Sequence, residues 1–233
     1  MKRWWGLLLG LLALPGHAES LRMLLVPVPG IMEPGANGKT QGGGAIELMR
    51  EISRRSGIPF AYEFYPQARA MLLVRQQADS CMPIAQMPDL RPMFKWSVAI
   101  LPIQIVLMAK SGDDRQWPSL EGAKRLRIGA LRGSMVADRL RQLGFQPEES
   151  ADYLTGLRKL QLGRLDLWAM TDVGVASVSS RLDMPPPKVA IVVEKSDIAF
   201  ACNHEVGDEA LASINRAIVS IHEDGSIHKY RLR

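Results

Sequence analysis

Apolar positions along the chain alternate between two spacings, and the alternation marks out the elements. Leu21 to Val28, "LRMLLVPV", is a nearly continuous apolar run of strand length. It gives way to the Gly- and Pro-rich stretch "PGIMEPGANGKTQGGG", a loop signal. In "AIELMREISRRSG", Ile46, Met49 and Ile52 recur at helical spacing, with Gly57 as the stop. "IPFAYEFYP" alternates as a strand does and "QARAMLLVRQQA" reads as a helix. Asp79 then leads into the short apolar run "SCMPIAQ".

The same order returns further on. "RLRIGAL" (Arg125 to Leu131) reads as a strand, and Gly133-Ser134 opens a helix, "MVADRLRQLG". "FQPEESAD" is a short strand or connector, "YLTGLRKLQLG" a helix, and Asp166 leads into "LWAMTD". The closing units "RQQADSCMPIA" and "QLGRLDLWAMT" share one layout of helix end, Asp and apolar strand. Such alternation predicts parallel α/β units, and its repetition predicts two α/β lobes.

Two long extended apolar stretches connect the lobes, "WSVAILPIQIVLMAKSG" and "KVAIVVEKSDIAFACN". The amphipathic helix "GDEALASINRAIVSIHEDG" and the tail "SIHKYRLR" follow. Two crossings allow that last helix to return to the first lobe. The expected division is residues 19–106 with 197–233 as lobe one and 107–196 as lobe two. The cleft between them would close on a ligand by a hinge motion.

Composition adds a compartment. "MKRWWGLLLGLLALPGHAES" has a basic start in Lys2 and Arg3, an apolar core from Trp4 to Leu14, and small residues before a cut after Ala18. Residues 1–18 therefore read as a secretory signal peptide, too short to span a bilayer, and the mature chain is expected in the periplasm. Losing Lys2 and Arg3 lowers the formal charge from +5 to +3. The remaining basic residues are interleaved with acidic ones, so nucleic acid is not an expected partner. At 233 residues, 47% hydrophobic and 23% charged, the chain has enough apolar sequence for a real core. Cys81 and Cys202 sit inside apolar runs. An exported chain permits a disulfide between them, and two buried thiols are the alternative.

Conventional catalytic sets are absent. His204, His222 and His228 lack metal-ligand spacing, and "RGSMV" around Ser134 lacks a nucleophile elbow. "TQGGGAIE" lacks the lysine of a phosphate loop. No cofactor or metal is expected. What remains suits binding. Arg91 follows the last strand of the first lobe, a usual place for ligand contacts in open α/β sheets. Pro88 and Pro92 restrict the backbone around it, and an arginine fork matches a carboxylate bidentately. Gly133 and Ser134 stand where a strand feeds a helix, so free amides and the helix dipole attract an anion there. Ser134 serves equally well as a plain N-cap. Asp172 follows "LDLWAM" and suits a ligand ammonium, or else N-caps "VGVASVSS", with Thr171 a competitor for either role.

These residues resemble the bacterial extracellular solute-binding proteins that serve ABC importers of polar amino acids, family 3 with the type II periplasmic-binding-protein fold. The resemblance runs from Leu21 to about Tyr230 through "DSCMPIAQMPDLRPMFKWSVAILP", "SLEGAKRLRIGALRGS", "LQLGRLDLWAMTD" and "INRAIVSIHEDGSIHKY". It implies that Arg91 binds a ligand α-carboxylate and that Ser134 contacts the same group. It implies that Asp172, or Thr171 one residue earlier, meets the α-amino group. "YPQARA" resembles a subgroup in which Arg69 faces the cleft; a solvated helix face is the alternative. Where the family has a stacking aromatic residue in the first loop, this chain has Pro29, Gly30, Ile31 and Met32.

The leading expectation is a monomeric periplasmic protein that closes on a small carboxylate-bearing solute, an amino acid or derivative, for delivery to an ABC permease. An enzyme on the same scaffold, of dehydratase type, is a second reading and would use Glu33 or Asp172 as acid or base. A ligand-sensing accessory for a membrane partner is a third. The effector domain of a cytoplasmic regulator is disfavoured by the leader and by missing DNA-binding helices.

Overall fold

The computed structural model describes residues 20–35 and 40–230; the expected leader lies outside the described residues. The first lobe begins with β1 (Leu21–Leu25), a short ribbon of β2 (Glu33–Pro34) and β3 (Thr40–Gly42), and α1 (Gly44–Ser56). β4 (Phe60–Phe64), α2 (Gln67–Gln76) and β5 (Ser80–Ala85) complete its α/β unit. β4 and β5 flank β1, both parallel to it. The chain then passes through β6 (Lys95–Trp96) and β7 (Leu101–Ala109) into the second lobe. There β8 (Ile128–Leu131), α3 (Met135–Gln142), β9 (Glu148–Ser150), α4 (Tyr153–Gln161), β10 (Leu167–Thr171) and α5 (Val175–Arg181) follow. β8 lies between β9 and β10, parallel to both. β11 (Lys188–Cys202) carries the chain back, and α6 (Asp208–Glu223) ends it on the first lobe.

The protein is therefore two α/β lobes joined by two extended strands. The strand order β4-β1-β5-β11-β7-β10-β8-β9 runs through both lobes, with β6 added to β11. β7 and β11 are antiparallel neighbours along Lys188 to Ile198, while Ile198 to Cys202 pairs instead with β5. Each long strand thus belongs to both lobes, which gives the backbone continuity that a hinge needs.

Helical spacing explains the first-lobe core. α1 buries Ile46, Met49 and Ile52, and α6 buries Leu211, Ile214, Ile218 and Ile221. These faces meet one another and Met23, Leu25 and Phe200 in a single cluster. Each such side chain contributes about 1.5–3 kcal/mol on burial, enough to bring the final helix home. α1 stops at Gly57, which takes the left-handed conformation (φ 72°) and donates its N–H to the Ser53 carbonyl.

β5 is buried on both faces, as a parallel strand inside an α/β layer must be. Cys81 on β5 stands directly opposite Cys202 on β11. The two form a disulfide, with Cα atoms 4.0 Å apart, so the alternative of two separate thiols is excluded. In the second lobe Trp168 is fully buried between Gly129 and Gly156. A Cβ at Gly156 would lie 2.1 Å from the indole, which explains a glycine in the middle of α4.

Two sequence expectations change. The first strand ends at Leu25 rather than Val28, because Pro27 has no N–H for the ladder. Val28 instead closes a tight turn with Met32, the two exchanging backbone hydrogen bonds of 2.8 and 2.9 Å. The stretch before the first hinge is not extended throughout: the Val98 N–H leaves the sheet and donates to Asn215 Oδ1 of α6 at 2.9 Å. Among the described residues, no helix is long and apolar enough to cross a membrane.

Candidate functional site

Between the lobes lies a cavity of about 720 Å³. Parallel strands place their carboxyl ends and following loops on its walls, as open α/β sheets do. The first lobe contributes Val26, Val28, Met32, Gln67, Met82 and Ile84; the second contributes Gly133, Ser134, Met135, Tyr153 and Thr171.

The lobes touch around this space. Gln67 Oε1, at the start of α2, accepts the Met135 N–H of α3 at 3.1 Å. Arg181 of α5 donates from Nε to Glu33 in the first loop at 3.0 Å. Gln142 Nε2 of α3 donates to Asp89 Oδ2 at 3.3 Å. Gly30 approaches α5 so closely that a Cβ there would lie 2.8 Å from the Ser177 carbonyl oxygen. Gly174 meets Ile31 similarly, at 2.7 Å. The structure is a closed one.

The predicted residues divide into two groups. Met32, Gly133, Ser134 and Thr171 line the cavity. Gly133 has φ 63° and turns the chain from β8 into α3. The Ser134 hydroxyl accepts the Ala137 N–H at 3.2 Å and donates to the Leu131 carbonyl at 2.7 Å, so it is an N-cap in any case. The Thr171 hydroxyl donates to the Val173 carbonyl at 3.4 Å, a weak bond.

Arg91, Arg69 and Asp172 are not among the lining residues. Arg91 opens a 3₁₀ turn, Arg91–Met93, and is exposed. The turn is held by the Trp96 indole N–H, which donates to the Arg91 carbonyl at 3.1 Å, and Trp96 stacks edge-on against Phe94. Arg69 is exposed on α2, where its neighbours Gln67 and Ala68 line the cavity instead. Asp172 turns its carboxylate onto the first hinge strand, Oδ1 accepting the Gln104 N–H at 2.7 Å. It does not cap α5: the N-cap there is Gly174, in the left-handed region.

Several lining residues escaped the sequence reading. Arg132, Asp152 and Tyr153 belong to the same carboxyl-end loops as Ser134. Arg132 directly precedes Gly133, and Asp152 stands two residues after "EES", so the strand-end rule applied to every strand would have found both. Asp152 is committed to α4, its carboxylate accepting the Thr155 N–H at 2.7 Å and hydroxyl at 3.1 Å. Arg132 is largely exposed, and its Nε lies 3.9 Å from Glu149. Tyr153 is half-buried, and burial pushes its phenol up to about 12. It has no hydrogen-bond partner among the described residues.

No family model matches the sequence, and no curated protein matches it. Solved structures do match its fold. One is the GluR0 ligand-binding core in complex with L-glutamate, at TM-score 0.77 and 14% identity, covering 93% of this chain and 98% of that one. A histidine kinase sensor domain with similarity to periplasmic binding proteins matches at 0.76 and 14%, covering 91% and 94%. A Streptococcus pneumoniae ABC uptake transporter substrate-binding protein with bound histidine matches at 0.73 and 15%, covering 91% and 92%. The chain has the fold of periplasmic binding proteins. At these identities the likeness is one of fold alone.

Proposed function

We propose that this chain is an exported solute-binding protein that closes its two lobes on a small carboxylate-bearing solute, within the range of amino acids and their derivatives. The observation that carries the reading is the cavity of about 720 Å³ walled by both lobes, which also touch through Gln67 with Met135 and Glu33 with Arg181. Met32, Gly133, Ser134 and Thr171 are the ligand-facing members of the residues expected from sequence. The α3 N-terminus behind Gly133 and Ser134 favours the anionic group of the solute.

Binding is favoured over catalysis by the state of the carboxylates. Glu33 is paired with Arg181 and Asp172 with the Gln104 amide, so neither stands in the cavity as an acid or base. The protein would work as a monomer in the periplasm and hand its solute to the permease of an ABC importer. A sensory role toward a membrane partner uses the same closed cleft, and fold neighbours of both kinds exist.

The test is native mass spectrometry of freshly purified protein, followed by calorimetry with amino acids, small organic acids and short peptides. A retained solute, or saturable binding accompanied by a smaller radius of gyration in X-ray scattering, is expected. A cleft that retains nothing and binds none of these classes would sink the proposal. Recovery of a chemically altered ligand would favour the enzyme instead.

A further inference from the structure

We propose that the solute is an apolar monocarboxylic acid without an ammonium group, its carboxylate meeting Arg132 and the Tyr153 hydroxyl and its body filling the apolar cleft. This rests on the solute-binding reading above and narrows it.

The charge inventory of the cavity points this way. Among the described lining residues, Arg132 and Asp152 are the acidic or basic side chains. Asp152 already neutralises the amide end of α4 through Thr155. Arg132 has only a distant partner, Glu149 at 3.9 Å. Among the described residues the cleft therefore offers one cation with spare donors, and its one carboxylate is already turned to the Thr155 amide and hydroxyl. A zwitterionic amino acid would have to place its ammonium on Asp152, already held by two bonds from Thr155, or on the neutral oxygen of Thr171. Removing an ion from water without a charged partner is costly, so such a site discriminates against the zwitterion.

The walls agree with the charges. Five of them are thioethers, Met32, Met49, Met82, Met135 and Met170, whose flexible and polarizable side chains adapt to varied apolar shapes. Pro27, Pro29, Pro66 and Pro83 also line the space and have no backbone N–H to offer a polar ligand. The volume, about 720 Å³, lies in the range of sites that take molecules well above the size of a simple amino acid. Arg132 and Tyr153 both belong to the second lobe, Arg132 preceding α3 and Tyr153 opening α4. An amphipathic acid would lie with its head there and its body against the first lobe.

Matched pairs that differ only in the ammonium test this: 4-methylpentanoate against leucine, and 3-phenylpropanoate against phenylalanine, with octanoate as a longer body. Calorimetry on the full mature chain should show each acid binding at least ten-fold more tightly than its amino acid. Arg132→Ala should weaken the acids about ten-fold or more, and Tyr153→Phe by a smaller factor, while Arg91→Ala leaves them unchanged. Arg132 is exposed, so its variant keeps the fold, and thermal unfolding without ligand checks that. If the amino acids bind more tightly than the acids, or Arg132→Ala changes nothing, this inference falls and solute binding stands. If native mass spectrometry finds a ligand of another class in the cleft, it also falls alone. If no ligand of any class binds, both fall.

Discussion

Gly30 carries a prediction that separates backbone strain from contact between the lobes. Its φ of 74° lies in the left-handed region, and an added Cβ would meet the Ser177 carbonyl oxygen of the opposite lobe at 2.8 Å. Gly57 has nearly the same backbone, φ 72°, but a Cβ there meets nothing within 4 Å. Gly57→Ala therefore measures the left-handed cost alone, about 1–2 kcal/mol, or a few degrees of Tm for a chain of this size. Gly30→Ala should show that cost and add the overpacking of a rigid backbone oxygen, about 1–3 kcal/mol. Because the second term exists only when the lobes touch, opening the cleft relieves it. The Tm of the two variants should therefore be similar, while closure is lost selectively in Gly30→Ala. The Met135 amide reports closure, since it donates across the cleft to Gln67. Hydrogen exchange at Met135 should accelerate in Gly30→Ala by roughly 5- to 30-fold, the equivalent of 1–2 kcal/mol. Gly57→Ala should leave it near wild type. Equal exchange at Met135 in both variants would refute the reasoning.

Three other outcomes follow from the structure. Replacing Cys81 and Cys202 together by Ala should cost about 2–4 kcal/mol, because the bridge closes a long loop across a sequence separation of 121; urea unfolding measures this, and dithiothreitol on the wild type should approach it. Gly156→Ala should destabilise despite the better helix propensity of alanine, since its Cβ would sit 2.1 Å from the buried Trp168 ring; a gain in stability of about 1 kcal/mol, the propensity value, would contradict the packing. The Arg115 guanidinium holds the Asp113 carboxyl down to about 2, below its usual 3.8. A depressed carboxylate contributes stability above its unfolded value and loses it as the pH falls through the folded one. Stability should therefore decline between about pH 4 and about pH 2, and Asp113→Asn should make that decline shallower in denaturant titrations.

Much of the fold was legible because periodicity is a local property. The helix over Ile46, Met49 and Ile52, the buried run "SCMPIA" and the amphipathic α6 follow from spacing alone. The repeated order of helix end, Asp and strand disclosed two lobes. The site was less legible. The strand-end rule reached Gly133, Ser134 and Thr171, which line the cavity. It also picked Arg91, whose orientation depends on a 3₁₀ turn tied down by Trp96, and Asp172, whose carboxylate is taken by the backbone of a strand 68 residues away.

By itself, then, the sequence determined the elements, their parallel α/β grouping and the two crossings between lobes, since these depend on residues near one another in the chain. Tertiary structure alone decided which polar groups remain unspent. Whether Asp172, Glu33 or Arg132 can meet a ligand turns on Gln104, Arg181 and Glu149, partners that only folding brings within reach. It also decided the disulfide, because Cys81 and Cys202 become neighbours only when β11 returns to lie against β5. Hydrophobic patterning is written along the chain, whereas the pairing of charges is settled across it.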